Sequence, residues 1–148
     1  MANGSPIFAA KLLGLHWSYP ADCNVCFFDR ERVFGPSKTL RGIGAAVLAT
    51  AGGAVLFGID WRTGVLVGAS AMAGDLISSF TKRRLGLAPS SRAWALDQVP
   101  EALLPVIVCE QAFAFTPTEI AMVVVLFFVA AVLLSRLLFS MGLRKQPY

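Results

Sequence analysis

Residues 119–139 read EIAMVVVLFFVAAVLLSRLLF, an apolar run whose only internal charge is Arg136. A helix needs about 20 mostly apolar residues to cross the hydrocarbon of a bilayer. This run meets that length, and it sets how the rest of the chain is read. Three further segments share its character, at about 42–59, 64–80 and 99–115. The segment at 99–115 is the weakest, because Pro100, Glu101, Pro105 and Glu110 interrupt it. Asp60-Trp61-Arg62-Thr63 joins the first segment to the second, and Thr116-Pro117-Thr118 joins the third to the fourth. The expected fold is all-α: a polytopic membrane helical bundle of four transmembrane helices, forming one domain over residues 1–148.

Composition supports this fold class. Of 148 residues, 56% are hydrophobic and 15% are charged, against about 25% charged in an ordinary soluble domain. Mean hydropathy is +0.66. A soluble globule, a disordered chain and a disulfide scaffold are all excluded. Lys and Arg number 13 against 9 Asp and Glu, a net charge of +4. On so apolar a chain, that excess suits cytoplasmic loops and anionic phosphates rather than nucleic acid. About four or five crossings would use the whole length. Any chemistry must therefore sit on the membrane helices and their loops.

The three cysteines, Cys23, Cys26 and Cys109, are an odd number, which argues against a disulfide framework. Cys23 and Cys26 have the spacing of a redox or zinc half-site. A zinc site would need two more ligands, and the single histidine is His16, so coincidence is the preferred reading. Cys109 is expected to pack as a small hydrophobe. The start, MANGSPIFAAKLLGLHW, has no basic residue before its apolar part and does not read as a signal peptide.

Basic residues set the orientation. Arg30, Arg32, Lys38 and Arg41 precede the first span. Lys82, Arg83, Arg84 and Arg92 lie between the second and third, and Arg144 and Lys145 follow the fourth. The two opposite turns hold only Arg62. For an even number of spans, all three basic segments share one face, which is then the cytoplasmic face. Gly64 and Gly68 and, in another row, Ala69 and Ala73 are spaced for close helix packing in lipid.

Ionisable groups inside a span are costly and are functional candidates by default. Asp75 ends the apolar run GVLVGASAMAG, and its nearest cations along the chain are Lys82, Arg83 and Arg84. At about 3.6 residues per turn, Asp75, Ser79 and Lys82 or Arg83 line one face. Carboxylate, hydroxyl and base together suit a phosphate bound with a metal ion. A salt bridge near the interface and a purely topogenic basic cluster are the simpler alternatives. Asp97 and Glu101 are four apart and share a helical face, although acids and Pro100 in a first turn are also ordinary helix starts. Phe34-Gly-Pro-Ser-Lys-Thr-Leu-Arg-Gly42 sets glycines, hydroxyls and bases just before a helix, where an anion can be cradled. It lacks the P-loop spacing.

Together these segments resemble the CDP-archaeol synthase family, a branch of the membrane cytidylyltransferases that also includes CDP-diacylglycerol synthase. FGPSKTLRG at 34–42, GDLISSFTKRRLGL at 74–87 and ALDQ at 95–98 carry the resemblance. Asn3 and Pro6 resemble the family's Asn…Pro segment, and YPAD ending at Asp22 its Pro-x-Asp. The resemblance implies transfer of a cytidylyl group from CTP to a lipid phosphate, with Mg²⁺, at the cytoplasmic face of the cell membrane. Asp75, Asp97 and Lys82 would be catalytic, and Asp75, Asp97 and Glu101 would hold the metal. Lys38, Thr39, Arg41, Ser79, Arg83 and Arg84 would bind substrate phosphates. Where the family continues D-Q-x-D, this chain has Pro100 and then Glu101. The shift from three to four keeps the acid on the same helical face. The family's first membrane helix leads into its Asn…Pro segment, so Ile7–Trp17 is expected to be a short remnant of it lying at the interface. The lipid itself is left open between an ether-linked isoprenoid phosphate and phosphatidate.

Two rival functions remain open at this point. A small multidrug-type exporter needs a buried acid near mid-bilayer, whereas Asp75 and Asp97 fall near the expected cytoplasmic ends. A non-catalytic protein that kept the fold is motivated by Pro100 and the missing first helix.

Overall fold

The structure, a computed structural model, describes residues 19–88, 93–113 and 115–140. The N-terminal segment with Asn3, Pro6 and Ile7–Trp17 lies outside them, as do Arg92, Arg144 and Lys145. Four helices follow one another: α1 (Leu40–Leu56), α2 (Trp61–Arg84), α3 (Trp94–Phe113) and α4 (Pro117–Ser140). They coincide with the four apolar segments. Helix α2 continues through Lys82, Arg83 and Arg84, as the expected shared face of Asp75, Ser79 and Lys82 or Arg83 requires. Those cations project from a helix, not from a polar loop. Among the described residues the extended backbone is limited to two isolated bridges, Pro20 with Thr39 and Cys26 with Arg32.

Local chemistry sets the helix starts. Thr39 caps α1, its hydroxyl accepting from the Gly42 N–H at 3.1 Å. Asp60 caps α2, accepting from the Arg62 N–H at 2.8 Å. At α4, Glu119 accepts from the Thr116 N–H at 2.7 Å, a reciprocal capping arrangement. Helix α3 runs through Pro100 and Pro105. Each proline withdraws one N–H from the ladder.

Helix α2 is the central element, packed against α1 on one side and α3 on the other, while α4 lies along α3. Glycines set both contacts of α2. A methyl group on Gly64 would lie 2.7 Å from the Ala51 Cα, and one on Gly68 would lie 2.9 Å from the Val47 Cα. The Gly64 and Gly68 row therefore seats α1 backbone to backbone. The second expected row does not pack: Ala69 and Ala73 are exposed. Gly74 makes the α3 contact instead, where a methyl group would lie 2.7 Å from the Glu101 Cα. Few apolar side chains are buried among the described residues, and most are small: Ala46, Ala71, Met72, Ala102, Val106 and Cys109. Large aliphatic side chains face outward, among them Leu48, Leu66, Ile77, Val108, Val125 and Leu133. Helices α2 and α4 are long and apolar enough to cross a membrane, and α1 is a shorter apolar helix.

The segment before α1 folds onto the far end of α2. Phe27 meets the Phe80 ring edge-on at 5.4 Å. Arg84 lies over both rings and pairs with Asp29 at 2.7 Å. At the centre of the segment is Asp22, whose side chain is fully buried. It accepts from the Arg32 guanidinium and from the N–H groups of Asn24, Phe34 and Gly35. Burial alone would push its pKa up, but the guanidinium and the backbone donors outweigh this and hold it at about 2. Gly35 sits at φ +90°, a conformation that favours glycine. Cys23 and Cys26 are free and exposed, and Cys109 is buried in α3 as expected.

Two stability predictions follow from this packing. Gly74→Ala should destabilise the protein by about 1–3 kcal/mol through overpacking, seen as a lower thermal midpoint in detergent. Gly52→Ala should not, since nothing lies within 4 Å of that position. Asp22 ionises more readily folded than unfolded, with a pKa of about 2 against its ordinary 3.8. Its contribution of roughly 2 kcal/mol is therefore present above about pH 4 and lost as the pH falls toward 2. Denaturation from pH 5 to 2 should be steeper in the native protein than in Asp22→Asn.

Candidate active site

The ionisable residues singled out in the sequence meet where the 33–39 loop and the start of α3 flank the second half of α2. Lys38, from the loop, donates to both oxygens of Asp75 on α2, at 2.6 and 2.5 Å. Lys82, two turns further along α2, pairs with Asp97 on α3 at 2.5 Å. Two lysine–carboxylate pairs thus join three separate segments. The partner of Asp75 is not one of the basic residues nearest it along the helix. It is Lys38, brought from 37 positions away.

These pairs are only partly open to solvent. The side chains of Lys38 and Asp75 are 23% and 24% exposed, and those of Lys82 and Asp97 are 9% and 30% exposed. At such depth, leaving either charge unpaired is expensive. Asp97 also uses its other oxygen to accept from the Ala93 N–H at 3.1 Å, which fixes the first turn of α3. One carboxylate thus ties the helix start and pairs with Lys82. Glu101 follows one turn later and is buried against Gly74. Ser79 is buried between Asp75 and Lys82 on α2. Ser78 turns back to donate to the Gly74 carbonyl at 2.9 Å.

The remaining expected residues divide. Arg83 is buried, its stem 3.8 Å from the Cβ position of Gly35. Its Nε makes no hydrogen bond among the described residues, so it can donate to an anion. Thr39 and Arg41 follow Lys38 at the start of α1, with the Thr39 hydroxyl engaged in capping. Arg84 faces away from the carboxylates. Its guanidinium is held by Asp29, the Glu31 and Arg32 carbonyls, and the two phenylalanine rings. Asp22 was signalled in the sequence only by Pro-x-Asp, and the structure makes it the centre of the loop that carries Lys38.

The arrangement concentrates cations and carboxylates at one end of an apolar bundle. Ammonium and guanidinium groups there can take phosphate oxygens, and carboxylates can take a hard cation. Lys82 and Asp97 lie at the ends of their helices, and Asp75 sits just past the middle of α2.

Known proteins show the family. Residues 55–148 match a family model described as CarS-like, CDP-archaeol synthase. The CDP-archaeol synthase of Sulfurisphaera tokodaii is 31% identical, over 100% of this chain and 89% of that protein. The one from Thermofilum pendens is 30% identical, over 100% of this chain and 76% of that protein. The Pyrobaculum aerophilum enzyme is 36% identical over 67% of this chain, which spans 62% of that protein's length. A solved structure described as an intramembrane enzyme for archaeal membrane lipids biosynthesis superposes with a TM-score of 0.65 at 25% identity, covering 88% of this chain and 89% of that one. The chain belongs to the CDP-archaeol synthase family of membrane cytidylyltransferases in lipid biosynthesis.

Proposed function

We propose that this protein joins the cytidylyl group of CTP to a membrane lipid phosphate, at the cytoplasmic face of a four-span bundle. One observation carries the reading: the Lys38–Asp75 and Lys82–Asp97 pairs gather charge from a loop and two helices at one end of an apolar protein. A lipid phosphate oxygen attacks the α-phosphorus of CTP. The bond from that phosphorus to the bridging oxygen breaks, and pyrophosphate leaves with the electron pair. No covalent enzyme intermediate is needed. Lys38, Lys82 and Arg83 supply donors to the phosphate oxygens, and Ser79 offers a hydroxyl between them. Thr39 and Arg41 border this group and are assigned to phosphate binding with less direct geometry, while Arg84, held by Asp29 and the Phe27 and Phe80 rings, is left out of it.

Asp75, Asp97 and Glu101 are the residues that would hold Mg²⁺. Among the described residues they do not form a ready cluster of three ligands. The donor set nevertheless fits the ion, which is commonly held by one or two carboxylates together with substrate phosphates and water. An ammonium already seated on each aspartate supports the fit, because both positions favour a cation. Bound there, Mg²⁺ would neutralise the triphosphate and the charge that develops on it. The two lysines would then turn to phosphate oxygens.

The four-span reading is supported by the apolar helices α1, α2 and α4, by α3 packed between α2 and α4, and by basic residues biased to one face. At the opposite end Arg62 lies 5.7 Å over the Trp61 ring, an aromatic and basic pair suited to a membrane interface. Helix α1 has 17 residues, a length of about 25 Å.

The test is transfer of radiolabelled CTP into a lipid-extractable product, with purified protein, Mg²⁺ and both dialkylglycerol phosphate and phosphatidate as acceptors. Asp75→Asn and Asp97→Asn should each lower turnover by about 100-fold or more while the helical content stays unchanged. Full rates in either variant would remove it from the metal site. Lys82→Ala should raise the Michaelis constant for CTP or the lipid about tenfold; unchanged constants for both would exclude it. Chelation with EDTA should abolish transfer, and added Mg²⁺ should restore it.

A further inference from the structure

Lys38 meets Asp75 across 37 residues, so something outside α2 must hold it there. Its backbone is tied down on both sides. The Ala21 N–H donates to the Lys38 carbonyl at 2.7 Å, and the Leu40 N–H donates to the Tyr19 carbonyl at 3.0 Å. The Lys38 N–H reaches the Gly35 carbonyl at 3.4 Å. Gly35 is itself a donor to Asp22, Ala21 is the chain neighbour of Asp22, and Tyr19 lies three residues before it. Asp22 receives Arg32 Nε at 3.2 Å, the Arg32 terminal nitrogen, and the N–H groups of Asn24 at 3.1 Å, Phe34 at 3.2 Å and Gly35 at 2.9 Å. An ionised carboxylate offers about four acceptor sites. Asp22 is therefore saturated, fully buried, and has no capacity left for substrate or metal.

We propose that Asp22 is a positioning residue for the transfer reaction, acting through Lys38. It closes the 22–35 segment into one rigid unit, and that unit delivers the Lys38 ammonium to Asp75. The role of Lys38 rests on the reading given under the proposed function. Lysine has a long stem with much rotamer freedom, so an unheld Lys38 would spread over many positions. Placement by a rigid supporting shell is what a phosphate-binding or cation-exchanging group requires. Asp22 thus connects to the chemistry without touching it.

The proposal is tested by acetylating the purified full chain with an amine-reactive reagent and measuring the extent at Lys38 and Lys82 by mass spectrometry. Asp22→Asn should raise labelling of Lys38 about fivefold through loss of charge-assisted bonds. It should leave Lys82 unchanged, because its partner Asp97 belongs to α3. An equal rise at both lysines would mean general loosening and would overturn the proposal, as would no rise at Lys38. Arg32→Gln removes the guanidinium but keeps the three backbone donors. It is the second variant should Asp22→Asn fail to fold, and the same selectivity at smaller size is expected. In turnover, Asp22→Asn should raise the Michaelis constant for CTP about tenfold, with a smaller change in kcat; a loss confined to kcat would overturn the action through Lys38. If the native protein transfers nothing from CTP, the enzymatic reading fails, while the labelling still decides whether Asp22 governs Lys38.

Discussion

The neutralisation of Asp75 and Asp97 by lysines from other segments is the constraint on which this structure depends. A carboxylate in an apolar bundle is tolerated only when a cation is delivered to it. Each delivery fixes tertiary structure: Lys38 ties the loop before α1 to α2, and Lys82 ties α2 to α3. Few apolar side chains are buried among the described residues, and those few are mostly small. Close glycine contacts and charge pairing therefore carry much of the specificity that a large apolar core would supply in a soluble protein.

The same pairs hold the charges that phosphate chemistry needs. An ammonium on a carboxylate stands where a metal ion and a phosphate can later share the two partners. In the function proposed above, stability without substrate and competence with substrate are served by one set of residues. The outward aliphatic side chains keep this set within a bundle suited to lipid, where a lipid phosphate is a natural neighbour. Membership of the CDP-archaeol synthase family agrees with this division between an apolar body and a charged end.

Much of this was legible in the sequence. All four helices follow from apolar runs, because lipid imposes its length requirement locally. The face carrying Asp75, Ser79 and Lys82 follows from helical period alone, and so does the pairing of Asp97 with Glu101 on α3. Choice of partner was not legible: Asp75 takes Lys38 and not Arg83 or Arg84, because pairing depends on how the loop folds back. Arg84 reads like its two basic neighbours, yet its position at the helix end turns it toward Asp29 and the Phe27 and Phe80 rings. Ala69 and Ala73 have the spacing of a packing motif but face outward, since Gly64, Gly68 and Gly74 already take both contacts of α2. Asp22 shows no periodicity, and its importance lies in hydrogen bonds to backbone that a sequence does not display.

The contact of Gly74 with Glu101 has a mechanical consequence. Two helices that touch backbone to backbone at one point can tilt about it but cannot slide past it. Displacement from any such tilt grows with distance from the pivot, as along a lever arm. Asp75 and Glu101 sit at the pivot itself, so they inherit the smallest positional error in the bundle. Lys82 and Asp97 lie further out and move more, and their ion pair acts as the stay that limits the swing. Asp75 and Glu101 are thereby placed where thermal motion of the helices disturbs them least.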